Sequence, residues 1–361
     1  MRTVTDAPVI IRTEGQVGRI TLNRPAALHA LNQDMCETML AALLDWRDDT
    51  SVEIVLVDHA EGTRGFCAGG DIRMLAESGR GDGAAARDFF HSEYRLNTAI
   101  KLFPKPYVAL MDGVTMGGGV GISLHGSHRV ATENTLFAMP ETGIGLFPDV
   151  GGGWFLPRMG GEVGIWLALT GARLRGTDVR SAGLATHFVT SELLGNLKAH
   201  LLDTDYSHGA AEMLGEVLRS RSQPAPVPAH AEHASAIRSC FSFDSVAEIM
   251  LALKNQGGEW ALKQLHILQG KSPTSMAVAL RQLRLGAKCE TFAENMVMEY
   301  RIGCRIVHTH DFSEGVRAVI EDKDNAPRWQ PPGIEALNAA DIDAIFAPLP
   351  EGEALDLSGI V

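Results

Sequence analysis

No window of the 361-residue chain approaches the roughly 18 uninterrupted apolar residues that a membrane-spanning helix needs. A disulfide framework is missing too. The 5 cysteines, at positions 36, 67, 240, 289 and 304, are odd in number and form no CxxC pair, as expected of reduced thiols. Positive charge is in deficit, with 32 Lys and Arg against 44 Asp and Glu and a formal net charge of -12. That balance argues against a non-specific nucleic-acid binder, which needs a basic surplus to neutralise phosphates. It does not argue against an anionic small ligand, because a local patch can oppose the net field. The amino-terminal run MRTVTDAPVIIRTEG lacks the apolar centre of a secretory leader. These absences predict a soluble protein of the cytoplasm. Three motifs are also missing: GxxxxGK followed by Ser or Thr, GxGxxG with a distal acid, and the GxSxG elbow. A phosphate loop, a dinucleotide fold and serine-elbow chemistry therefore have no support.

Glycine is plentiful, with 38 residues and no collagen period, which implies tight turns and close backbone approaches. Short apolar runs at 9–12 and 17–22, split by Glu14-Gly15, predict an opening hairpin. Met35, Met39, Leu43 and Leu44 then keep helical spacing, with Asn32 as the cap. EIVLVDH and KPYVALMDG read as strands buried on both faces of a parallel sheet, and each feeds a glycine-rich turn and a helix. Two strand–turn–helix units predict an α/β fold with crossover connections and with both glycine turns at the carboxyl ends of strands, where ligands bind. HRVATENTLFAMPE reads as two short strands, GGEVGIWLALTG as a helix stopped by Gly171, and TDVRSAGLATHFV as helix then strand. Beyond about residue 192 the patterns are helical. A core of 1–195 and a mainly helical extension of 196–361 are expected, with a Pro-rich exposed linker near 222–234. The acidic, proline-broken last twenty residues are expected to fray.

The first glycine turn, FCAGGD at 66–71, opens a helix, so its N–H groups can hold an anion or a polarised carbonyl oxygen. Its plain reading is a tight turn with Asp71 as helix cap. TMGGGVG, 115–121, follows one strand later and could equally serve helix–sheet packing. Two such donor turns from neighbouring units would make a two-point oxyanion hole for an acyl carbonyl. Glu141, after Met139-Pro140, and Asp149, after Phe147-Pro148, lie in a stretch that otherwise reads as buried turn. Burial raises a carboxyl pKa and can tune it for base chemistry. Each could also be a turn cap. Cys67 is either a nucleophile or a buried filler, and His308 and His310 lack a third ligand, so they read as surface or hinge residues rather than a metal site.

At this point the chain resembles the crotonase, or enoyl-CoA hydratase/isomerase, superfamily, and within it the branch that hydrolyses 3-hydroxyisobutyryl-CoA. The matching pieces run through nearly the whole chain: GRITLNRPAALHALN, GFCAGGDIR, EYRLN, KPYVALMDGVTMGGGVG, FAMPETGIGLFPDVGG, FLPRMGG, LTGARLRGTDVRSAGLATHFV, EYRIGCR and DFSEGVRAVIEDKDNAPRW. The resemblance implies repeated ββα units with a helical carboxyl-terminal region and an acyl-CoA substrate. It implies no metal, no cofactor beyond the CoA of the substrate, no nucleic acid and no membrane, and it leaves a homo-oligomer open. It places the oxyanion hole at Gly70 and Gly118, the catalytic acids at Glu141 and Asp149, and substrate contacts at Glu93, Gly118, Glu141 and Asp149. Cys67, Ala68, Gly69 and Asp71 would lie along the CoA nucleotide. The implied reaction gives 3-hydroxyisobutyrate and CoA, a step of valine breakdown. Hydratases of the family carry a glutamate where this chain has Gly121, so hydrolysis is favoured over water addition. The alternatives are an enoyl-CoA hydratase, a hydrolase of another 3-hydroxyacyl-CoA, and a non-catalytic acyl-CoA-binding protein.

Overall fold

The computed structural model describes residues 7–361. Among the described residues nine strands are formed: β1 (Val9–Glu14), β2 (Val17–Leu22), β3 (Ile54–His59), β4 (Tyr107–Met111), β5 (Val114–Met116), β6 (His128–Ala131), β7 (Leu136–Ala138), β8 (Leu174–Arg175) and β9 (His187–Phe188). The helices of the first half are α1 (Gln33–Asp48), α2 (Ile72–Arg80), α3 (Ala84–Leu102), α4 (Gly118–Leu124), α5 (Gly152–Phe155), α6 (Val163–Thr170) and α7 (Thr177–Ser181). Those that follow the last strand are α8 (Ser191–Asp203), α9 (Ala210–Arg219), α10 (Ala234–Cys240), α11 (Val246–Gln256), α12 (Gly258–Gln269), α13 (Pro273–Gly286), α14 (Phe292–Ile306), α15 (His310–Val316) and α16 (Ala339–Phe346).

The predicted hairpin pairs Val9 with Leu22 through Glu14 with Val17, turning on Gly15 at φ +59°. The main sheet runs β1-β2-β3-β4-β6-β9 and is parallel beyond the hairpin. Its strands read as apolar runs because both faces are covered. Val55 and Val57 face the large core, whereas Ile54 and Leu56 join Val108, Leu110 and Val130 against Leu197, Leu201 and Leu214 from α8 and α9. The two strands read in HRVATENTLFAMPE form but do not pair. β6 joins the main sheet, whereas β7 lies in a second sheet, β5-β7-β8. Asn32 caps α1 by accepting from the Met35 N–H at 3.0 Å, and Gly171, at φ +66°, stops α6.

That second sheet determines where the glycine turns lie. Cys67 pairs with Thr115 of β5 in a one-residue parallel bridge, and Leu31 pairs with Gly70 in the same way. The first turn is thereby bonded alongside the strand that delivers the second.

The helices from α10 onward share the main apolar cluster: Ile237, Leu283, Met296 and Phe312 are buried with Leu22, Phe89 and Phe147. The expected fraying of the carboxyl-terminal residues is not what forms. Leu355 and Leu357 are buried, and Arg95 and Arg47 bind backbone carbonyls of Asp356, Ser358 and Gly359. Acidic composition misled here because scattered leucines suffice to dock a tail. The Pro-rich segment is exposed but pinned, through Ser181 to the Pro226 carbonyl and Asp178 to the Ala229 N–H. α2 approaches the end of α14 closely enough that a Cβ on Gly79 would stand 2.0 Å from the Val307 carbonyl oxygen. Backbone cannot yield as a side-chain tip does, so Gly79→Ala is expected to cost about 1–3 kcal/mol or more, read from urea melts.

Candidate active site

Glu93 falls on the apolar stripe of α3, beside Phe89, Phe90 and Leu96, and is therefore carried inward. Glu141 opens a short 3-10 turn, Glu141–Gly143, directly after Pro140, and Asp149 follows Pro148. All three acids are almost fully buried, with Glu93 2%, Glu141 4% and Asp149 5% exposed. They line one cavity of about 70 Å³ together with Ala68, Gly69, Gly70, Met116, Gly117 and Gly118. Leu75, Phe89, Phe90, Ile144 and Leu146 complete an apolar wall.

The two glycine turns meet in this cavity. The Leu31 N–H donates to the Gly69 carbonyl at 2.8 Å and the Asp71 N–H to the Leu31 carbonyl at 2.9 Å. In a parallel bridge of this kind the N–H of the intervening residue, Gly70, faces away from its partner strand. Gly118 is the first residue of α4, so its N–H has no acceptor within the helix. A Cβ on Gly118 would stand 3.2 Å from the Gly69 carbonyl carbon and 2.5 Å from Glu93 Oε1. A Cβ on Gly117, at φ +47°, would stand 3.4 Å from Glu141 Oε1. Two backbone donors and two carboxylates thus face the same small space.

The acids are costly where they are. Glu93 Oε1 and Glu141 Oε2 are buried with no hydrogen-bond partner. Unmade bonds of this sort mark a place where a ligand or water is expected to bind. Burial, then the charge of Asp149, holds Glu141 well above the ordinary carboxylate value. Burial, then Asp149 and Glu299, does the same to Glu93. Burial pushes Asp149 up to about 7, although the Tyr94 hydroxyl donates to it at 2.9 Å. A group poised near neutrality in a cleft, as Asp149 is, is what acid–base chemistry uses.

Some predicted residues lie elsewhere. Cys67 is buried outside the lining, its thiol donating to the His29 carbonyl at 3.2 Å, and burial pushes it up to about 12. It is a filler and not a nucleophile. Asp71 also stands outside the lining. It caps α2 through the Met74 N–H at 3.4 Å and pairs with Arg24 at 3.1 Å. His308 binds the Gly79 carbonyl and His310 the Arg328 carbonyl, which makes both of them fasteners between segments. A larger cleft of about 430 Å³ lies beyond β3 and β4, but its acids are already engaged: Asp58 by Arg19, Thr21 and Lys198, Glu61 by Lys198, and Asp112 by Thr132.

Sequence reasoning missed the roles of Tyr94, Asn97 and Glu299. Asn97 is fully buried one turn after Glu93 with neither side-chain atom bonded. Its amide would stand 2.8 Å from a Cβ on Gly121, as would Val150 Cβ. Glu299 sits among Met296, Tyr300 and Ile302, a charge in the buried phase of α14. That misplaced charge was the available signal.

The model of the family described as "Enoyl-CoA hydratase/isomerase" matches residues 17–346. The chain is 47% identical to "3-hydroxyisobutyryl-CoA hydrolase, mitochondrial" of Xenopus laevis, over 96% of this chain and 90% of the relative. It is 45% identical to the Homo sapiens protein of the same name, over 96% and 90%. Among solved structures it resembles a carnitinyl-CoA dehydratase from Mycobacterium thermoresistibile, with TM-score 0.91 and 38% identity over 98% of this chain and 100% of that one. It also resembles an enoyl-CoA hydratase from Rhodobacter sphaeroides, with TM-score 0.87 and 40% identity over 97% and 100%. These curated relatives are named as mitochondrial, which overturns the expected cytoplasmic location. The apolar character of the amino-terminal run says nothing of import into an organelle.

Proposed function

The chain belongs to the enoyl-CoA hydratase/isomerase family, and we propose that its cavity cleaves a 3-hydroxyacyl-CoA thioester with Glu141 as the reacting group. The enzyme is a hydrolase of 3-hydroxyisobutyryl-CoA, yielding 3-hydroxyisobutyrate and CoA. The observation that carries the residue assignment is the unpartnered, buried Glu141 Oε2 in the cavity that Gly70 and Gly118 line. The thioester oxygen sits between those two N–H groups, which bind it more strongly as negative charge grows. Glu141 either takes a proton from the attacking water or attacks the carbonyl carbon itself. In the second route the C–S bond breaks, CoA leaves as a thiolate that takes up a proton, and water opens the anhydride to regenerate Glu141. Asp149, held by Tyr94, accepts the substrate's 3-hydroxyl, and Glu93 completes the polar wall. An acyl group lacking that hydroxyl leaves these buried acceptors unpaired, so it is a poor substrate.

The names of the solved relatives favour a second reading, water addition or removal at a C=C bond. A glutamate at position 121 would have to displace Asn97 and Val150, so a second acid is not supplied from α4. Thiol release from 3-hydroxyisobutyryl-CoA, 3-hydroxypropionyl-CoA, isobutyryl-CoA and crotonyl-CoA separates the two. Fast release from the hydroxylated esters and slow release from isobutyryl-CoA support the hydrolase. Loss of crotonyl absorbance without free thiol overturns it.

The pH profile follows from the buried acids. Asp149 must be ionised to accept the substrate's 3-hydroxyl and is held at about 7, so kcat/KM is expected to rise through pH 6–8. A profile flat down to pH 5 would contradict this. Stability runs the other way. The folded chain keeps the Asp149 proton up to about 7, whereas the unfolded chain loses it near the ordinary 3.8, so this group's contribution falls as pH rises between those values. Asp149→Asn removes that component, with a ceiling of ~4 kcal/mol at pH 8 relative to pH 4, measurable as a smaller pH dependence of the urea midpoint.

A further inference from the structure

The turn that carries Asp149 is strained. Val150, a β-branched residue, has φ +50°, and Gly151 follows at φ +87°. A β-branched side chain in that region is a genuine outlier that persists only where the surroundings over-determine it. Here they do so from three helices. His125, directly after α4, donates from Nε2 to the Val150 carbonyl at 2.7 Å. Gln282 of α13 donates to the Pro148 carbonyl at 2.8 Å. Glu299 of α14 accepts from the Gly151 N–H at 2.7 Å and the Gly153 N–H at 2.8 Å, one oxygen to each. Glu299 is itself held by Asn295 at 2.9 Å and Gln282 at 3.0 Å. Glu299, Gln282 and Asn295 are all fully buried, so this carboxylate cannot be exchanged for water.

We infer that Glu299, more than a hundred residues downstream, is the positioning residue that clamps the Asp149–Gly153 turn and so places the Asp149 carboxylate against the substrate hydroxyl. The inference rests on the hydrolase reading and assigns the helical region a part in it. α13 and α14 supply the clamp, while α3 supplies Tyr94, which holds Asp149 from the other side. Glu299 touches no reacting atom. Its effect passes through the backbone of the strained turn.

The test uses the full-length enzyme, Glu299→Gln and Gln282→Met, with thiol release from 3-hydroxyisobutyryl-CoA and from isobutyryl-CoA. Glutamine keeps the shape of Glu299 but can accept only one of the two backbone N–H bonds. The expected result is a fall of about 100-fold in kcat/KM on the hydroxylated ester, as for a slightly misplaced group, with the slow rate on isobutyryl-CoA nearly unchanged. Gln282→Met is expected to shift the same ratio less. Melting curves report the folded fraction. Equal falls on both esters, or none, overturn the inference while leaving the hydrolase intact. If Glu299→Gln does not fold, Gln282→Met decides alone, by the ratio. A wild type that releases thiol from neither ester overturns the hydrolase reading and the inference with it.

Discussion

Glu141→Gln is expected to lower kcat for 3-hydroxyisobutyryl-CoA by about 10³-fold or more, the range set by loss of a general base or of a covalent nucleophile. The amide is nearly isosteric, so the cavity keeps its shape. Burial and the charge of Asp149 both disfavour the ionised form of Glu141, so the neutral amide should melt no earlier than wild type. Unchanged substrate binding with lost turnover would place Glu141 in the reaction itself. A variant retaining a tenth of wild-type kcat would remove Glu141 from the chemistry and leave Glu93 or Asp149 to supply it. Trapping wild type with hydroxylamine during turnover separates the two routes. A hydroxamate on Glu141 marks the anhydride, and its absence favours activated water.

Gly118→Ala is expected to lower kcat by about 10²–10³-fold, the loss typical of a removed oxyanion donor. The N–H survives the substitution, so the cause is space. The new methyl would stand 2.5 Å from Glu93 Oε1, 3.1 Å from Leu31 and 3.2 Å from the Gly69 carbonyl carbon. Glu93 is 2% exposed and lines the cavity, so the methyl and the displaced carboxylate fill the place of the thioester oxygen. Crystallography of the variant with a non-hydrolysable thioether would show the acyl group displaced. A variant of wild-type kcat would mean that the carbonyl is bound somewhere other than between Gly70 and Gly118. Gly70→Ala is a useful comparison, because its Cβ would meet only the Phe89 ring, at 3.0 Å, and a ring edge yields more readily than backbone.

Much of this molecule could be read along the chain because its signals are local. Buried strands on both faces appear as apolar runs, as in EIVLVDH, and helix ends appear as caps, as at Asn32 and Gly171. Glu141 and Asp149 were legible because charge beside proline in an apolar run is costly and needs a reason. Cys67 stayed open between two readings, because its position in a donor turn says nothing about which way its thiol points. The chain misled at the carboxyl end, where acidic composition hid the two leucines that dock it.

The sequence by itself determined the class of fold, the two glycine turns and the two charges that do not belong in their surroundings, since each is a matter of neighbours within a few residues. Only the tertiary structure decided that the turns meet, because the bridge from Cys67 to Thr115 spans two units and no periodicity encodes it. It alone decided that Asn97 and Val150 fill the space beside Gly121. It alone brought Glu299 to the Asp149 turn, across a separation at which hydrogen bonds leave no trace in spacing. Local order is fixed by backbone propensities and burial patterns. A buried polar site is fixed by which distant groups can satisfy one another once water is gone.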